Sequence, residues 1–164
     1  MKVMKKTQEV SRQLVLFLIA LVCLAAAAGC VVVWFGVIHS KTCTLEVPFA
    51  EGDEWEYSIE EVTEKDRYYQ IDGWAGRNGQ DVTLFDTSIL LKREEDTEYY
   101  LLSTEMRQKP ELGGEVGHNF SNGGFCAAIR KKDLKEKGNY QVYIWYKNDG
   151  NNVIIPTDTY VKVK

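Results

Sequence analysis

Two hydrophobic rhythms divide this chain. From Leu14 to Ile38, LVLFLIALVCLAAAAGCVVVWFGVI, 25 consecutive residues carry no charge. Beyond them, apolar residues fall mostly at every second position, in short runs separated by turn-forming residues. The first rhythm predicts a membrane-spanning helix: a helix of this length rises about 37 Å, against a hydrocarbon core of roughly 30 Å. The second predicts strands with one buried and one wetter face.

Thr44–Phe49 is the first predicted strand, stopped at Ala50-Glu51-Gly52-Asp53. Trp55, Tyr57 and Ile59 alternate with Glu56, Ser58 and Glu60, and the charged tract to Arg67 contains a turn. Tyr69, Ile71, Gly73 and Ala75 share the next face, with Tyr68 and Trp74 opposite. Asn78-Gly79 marks a tight turn, because glycine adopts positive φ at little cost. Val82–Leu91 follows, with Thr83, Phe85, Thr87, Ile89 and Leu91 on one side, and then Glu98–Ser103. Glu105–Gly123 shows no period and is expected to be a long loop. Gly124–Ile129 and Asn139–Lys147 are predicted strands; in the second, Tyr140, Val142, Ile144 and Tyr146 face the core, and Tyr143 and Trp145 face out. After the turn at Asn148–Asn151, alternation runs from Val153 to Val163, where Pro156 demands an edge position or a bulge. About eight strands with no long amphipathic helix point to an all-β antiparallel sandwich of Ig-like or jelly-roll type, preceded by one transmembrane helix.

The organisation expected is a basic cytoplasmic tail over 1–13, a transmembrane helix over 14–38, a juxtamembrane linker over 39–43 and an extracytoplasmic domain over 44–164. Charge sets that orientation. Lys2, Lys5, Lys6 and Arg12 against Glu9 give the tail +3; 16 Lys/Arg against 23 Asp/Glu give the remainder −7, for the overall −4. Basic residues beside a first span are retained in the cytoplasm, which places the domain outside. A cleaved signal peptide is the alternative, but its apolar core is usually only about 7–15 residues. Ala27-Ala28-Gly29-Cys30 loosely resembles a lipidation box, yet a mature chain starting there would still be deeply apolar. The uncleaved anchor is the preferred reading. The small residues Ala25 to Gly29 would also let a partner helix approach closely.

Candidate chemistry is sparse. Cys23 and Cys30 sit in the span; Cys43 and Cys126 lie in the domain, where they would form either one disulfide or two buried thiols. With only His39 and His118, a zinc site lacks ligands, and no cofactor motif is present. His118, near Ser121 and Cys126, is the sole candidate base in the domain, and no Gly-x-Ser-x-Gly elbow occurs. The acidic clusters Glu60-Glu61 and Glu94-Glu95-Asp96 fall in predicted turns, where solvated charge is the default. Asp149, Asn151 and Asn152 could offer oxygens to calcium, but Asn-Asp-Gly is already explained as a turn. No basic patch suited to nucleic acid exists. The aromatics stand out instead: three tryptophans and all nine tyrosines lie outside the span. Outward rings such as Trp74, Tyr143 and Trp145 suit sugar stacking or a protein interface, with Arg107 and the loop to Asn122 as a rim.

A family resemblance appears in the order of several motifs. These are Ile71-Asp72-Gly73-Trp74-Ala75; Arg107 opening the long loop; Asn119 to Phe125; Gly138-Asn139-Tyr140-Gln141-Val142-Tyr143-Ile144; and Thr157-Asp158-Thr159-Tyr160. From about Ile59 to Val163 this order resembles a small Ig-like β-sandwich module of Firmicute cell-surface proteins, found beside or fused to enzymes of envelope glycan synthesis. Where that family tends to have Arg-x-Asp-Val, this chain has Arg107-Gln108-Lys109-Pro110, so no role carries over to that acidic position. The resemblance implies no defined activity. The expectation is therefore a non-catalytic binding or scaffolding module anchored in the bilayer, with envelope polysaccharide or a membrane protein as partner. The alternative is an interaction subunit that docks onto a polytopic partner through its helix.

Overall fold

In the computed structural model, residues Lys2–Ile38 form one α-helix, α1. The structure describes the backbone of residues 2–38, 41–83, 86–115 and 118–164, and the side chains of 12, 14–31, 41–83, 86–113 and 119–164. Contacts divide the chain into two units, 1–39 and 40–164. In the first, the basic tail is not separate from the apolar run but continues the same helix. Leu14–Val31 is exposed throughout and is long and apolar enough to cross a membrane.

The second unit is an antiparallel β-sandwich. Its strands are β1 (Lys41–Cys43), β2 (Trp55–Glu64), β3 (Tyr68–Arg77), β4 (Thr87–Lys92), β5 (Tyr99–Leu101), β6 (Ser103–Arg107), β7 (Gly113–Glu115), β8 (His118–Asn119), β9 (Gly124–Arg130), β10 (Gly138–Tyr146) and β11 (Val153–Val163). Sheet A has five strands in the order β1-β5-β4-β10-β11, and sheet B has four in the order β2-β3-β9-β6. The short β7-β8 pair stands apart.

Alternation in β10 explains the layering. Tyr140, Val142, Ile144 and Tyr146 are completely buried, and they meet Tyr69, Ile71 and Ala75 of β3 and Phe125, Ala127 and Ile129 of β9 in one core. Aromatic edges knit it: Trp55 meets Tyr146 at 5.4 Å, and Tyr100 meets Tyr140 at 5.8 Å. Glycine has a packing role at Gly73. A Cβ there would strike the Ser58 carbonyl and the Phe125 ring, so β2 and β9 close over that position only because it is bare.

Five segments depart from the periodicity. The expected strand Glu98–Ser103 is two strands: β5 pairs in sheet A and β6 in sheet B, and the chain changes sheet at the buried Leu102, whose N–H donates to Ile89 O at 2.9 Å. The linker expected over 39–43 is already β1 from Lys41. Within Val82–Leu91 the strand begins at Thr87; Thr83 is exposed beside Asp149, Val82 is buried and its N–H donates to Asn119 O at 3.0 Å, and Phe85 lies outside the described residues. The long interval to Gly123 carries β6 at its start, a 3-10 turn over Pro110–Leu112 and the β7-β8 pair.

The fifth departure matters most. Thr44–Phe49 is not a ladder strand. From β1, at one edge of sheet A, the chain crosses the outer face of the sheet and reaches β11 at the opposite edge. There Phe49 bridges Ile154 in parallel, Ile154 N–H donates to Pro48 O and Ala50 N–H to Ile154 O, each at 2.9 Å. Cys43, Leu45 and Val47 pack on Leu90, Tyr99 and Ile154 beneath this strap, forming a second apolar layer. β11 is thus an edge strand, and its register with β10 shifts between Gln141 and Tyr143, opposite Pro156; the proline takes both of the permitted solutions at once.

Candidate functional site

Strand pleat decides where the outward aromatics go. Tyr143 and Trp145 leave β10 on the outer face of sheet A, where they join the layer under the strap. Trp145 is half-buried: its Nε1 donates to Asn152 Oδ1 at 2.8 Å, and the Lys147 ammonium sits 4.4 Å from its ring. Trp74 leaves β3 on the outer face of sheet B and stacks on Phe120 at 5.8 Å. Arg107 is on that same face, because Arg107 and Trp74 both pair with Gly124 in register. Its guanidinium donates to Asp72 at 3.1 Å and lies 3.8 Å from Glu105. The Lys109 stem crosses the bare Gly124 and ends on Glu60. Trp74, Tyr143, Trp145 and Arg107 therefore do not form one binding face, as two lie on each side of the sandwich. A face seen by alternation in one strand specifies only a side of its own sheet, and the sequence does not show which sheet that strand joins.

The cysteines separate in the same way. Cys43 pairs with Tyr99 in the layer outside sheet A, whereas Cys126 pairs with Asp72 on the outer face of sheet B; both are free thiols. Two cysteines whose Cα atoms lie more than about 7 Å apart cannot be bridged, and the core stands between these two. Burial, and next the Asp72 carboxylate, pushes the Cys126 thiol up to about 11, which makes it a poor nucleophile at neutral pH. The His118 side chain lies outside the described residues. Asp149, Asn151 and Asn152 spend their oxygens on Thr83, Arg77 and Trp145 respectively. Among the described residues no group of three His, Cys, Asp or Glu side chains converges.

Of the aromatic and arginine candidates, Tyr143 lines, together with Glu94 and Glu95 of the acidic cluster, a groove built from several strands. It lies at one end of the outer face of sheet A and encloses about 590 Å³, within the 300–1,000 Å³ range typical of ligand sites. Lys92 through Glu95 form one wall where β4 ends; Lys137 to Asn139 form another where β10 begins. Gln141, Tyr143 and, from β11, Tyr160 complete it. Tyr143 is fixed: its hydroxyl donates to Gln141 Oε1 at 2.7 Å, and Gln141 Nε2 donates to Thr157 O at 2.7 Å. Its ring also meets Tyr99 edge-on at 5.4 Å. Arg93 is committed to Asp96 and Glu136, each at 2.7 Å, and that guanidinium holds the Asp96 carboxyl below the usual carboxylate range. A second hollow of about 600 Å³ rests against residues 64–68 alone and is lined by a single hairpin turn.

Gln141 and Tyr160 were open to detection from sequence, since each alternates outward in its strand. Lys92 and Lys137 were not, because only the pairing of β4 with β10 brings their two turns together. No known family model and no curated protein matches the chain.

Proposed function

We propose that this is a single-pass membrane protein, tail in the cytoplasm and sandwich outside, whose domain is a non-catalytic module binding envelope polysaccharide. The groove at Tyr143 and Tyr160 carries this reading. It joins a rigid ring, an exposed ring and side-chain amides in a cleft of ligand size, the combination that orients a polar ligand with flat apolar faces. The helix Leu14–Val31 and the +3 tail of residues 1–13 support the anchoring and its direction.

The test is titration of the full-length chain, held in lipid nanodiscs, with purified wall polysaccharide while tryptophan emission and released reducing ends are followed. Saturable change in emission without release of ends is expected. A flat titration overturns the reading, as does hydrolysis that disappears in Glu95→Gln. For orientation, protease added outside intact cells should remove the domain, and its full protection would reverse the topology.

A further inference from the structure

The charges around the groove restrict what can enter it. Lys92 and Lys137 stand against Glu94 and Glu95, while the charge of Arg93 is already met by Asp96 and Glu136. A polyanion would be drawn to two ammonium groups but forced against two carboxylates, and a polycation would meet the reverse. A greasy ligand fits no better, since most of the lining side chains are charged or carry amides. What remains is a ligand rich in hydrogen-bonding groups, without net charge, and with flat apolar faces for two phenol rings.

The rings suit that role in different ways. Tyr160 is 55% exposed, together with Phe49 the most exposed large apolar side chain of the domain among the described residues. It is thus a ring presented rather than packed. Tyr143 is held through Gln141 and Thr157 and backed by Tyr99, which itself lies beneath the strap, so the groove floor is set before any ligand arrives. Burial, and next the nearby Tyr160, raises the Tyr143 phenol above its ordinary range, so it stays neutral at physiological pH.

We infer that the groove takes a short stretch, roughly two to three rings, of a saccharide without net charge, with Tyr160 and Tyr143 as platforms, Asn139 and Gln141 as hydrogen-bonding groups, and Glu94 and Glu95 as the barrier to polyanions. This rests on the binding-module reading above and specifies its ligand.

The experiment uses the full-length chain in nanodiscs and three trisaccharides of equal length: triacetylchitotriose (neutral), triglucosamine (cationic) and trigalacturonate (anionic). Calorimetric titration should show the neutral trimer bound about tenfold or more tightly than either charged one, and Tyr160→Ala should weaken it about tenfold. Trp74→Ala, on the opposite sheet, should leave it unchanged. Glu94→Gln with Glu95→Gln should raise the affinity for trigalacturonate. The inference is overturned if no trimer binds, if a charged trimer binds as well as the neutral one, or if Tyr160→Ala changes nothing. Should wall polysaccharide still bind in any of those cases, only the groove assignment falls; if it does not bind either, the binding-module reading falls with it.

Discussion

Tyr146 shows how much a single polar atom costs in this core. Its side chain is completely buried, and its hydroxyl makes no hydrogen bond of normal geometry, although the Asn148 side chain is near enough to offset part of the burial effect. Burial pushes the phenol up to about 12, from an ordinary 10.0. A raised pKa in a group that is neutral when protonated stabilises the fold fully below the unfolded pKa. That stability is lost as pH climbs from there toward the folded value, because the unfolded chain ionises first. Cys126 acts in the same direction, from 9.0 to about 11. Urea midpoints should therefore fall steadily above pH 9. Tyr146→Phe should flatten the upper part of that fall and, by removing an unsatisfied hydroxyl, hold neutral stability level or raise it by about 1 kcal/mol. An unchanged alkaline limb would refute the assignment. Gly73→Ala should behave oppositely, costing about 2 kcal/mol or more, since the new methyl has to displace the Ser58 carbonyl and the Phe125 ring.

At the scale of elements, the strap over 44–49 is where the periodic pattern misled. Leu45, Val47 and Phe49 alternate as a strand would, and the half-buried Leu45 and Val47 do face inward. They face the outer side of sheet A, however, so the chain gains its burial without ladder hydrogen bonds until Phe49. Leu45→Ala with Val47→Ala should lower the urea midpoint by the equivalent of about 2–4 kcal/mol. It should also alter near-ultraviolet dichroism, because Tyr99, Tyr143 and Trp145 lie in the layer the strap covers. An unperturbed aromatic signal would mean the strap is not seated in solution. The EYYLLS segment teaches the same lesson. A strand that changes sheet keeps its rhythm on both sides of the switch, so the break at Leu102 left no mark in the pattern.

For the whole molecule, the thiols offer a direct check of the layering. Cys43 and Cys126 lie outside opposite sheets and are free, as are Cys23 and Cys30. Alkylation of the unreduced, denatured full-length chain should add four labels, and the melting temperature should not respond to reductant. Two labels would mean that a disulfide forms and that the two outer faces are not placed as described.

What the sequence determined by itself is what depends on neighbours along the chain. A charge-free run long enough to cross a bilayer, the faces of β3 and β10, the turn at Asn78-Gly79 and the edge position demanded by Pro156 all follow from backbone geometry and local patterning. What only the tertiary structure decided is what depends on which strand lies beside which. Pairing set Trp74 and Arg107 on one side and Tyr143 and Trp145 on the other. Pairing of β10 with β4 on one side and β11 on the other drew Lys92, Gln141, Tyr143 and Tyr160 into one groove. Alternation with period two assigns each residue a side of its own strand, but which sheet owns that side is a long-range fact, fixed by which hydrophobic faces meet in the core.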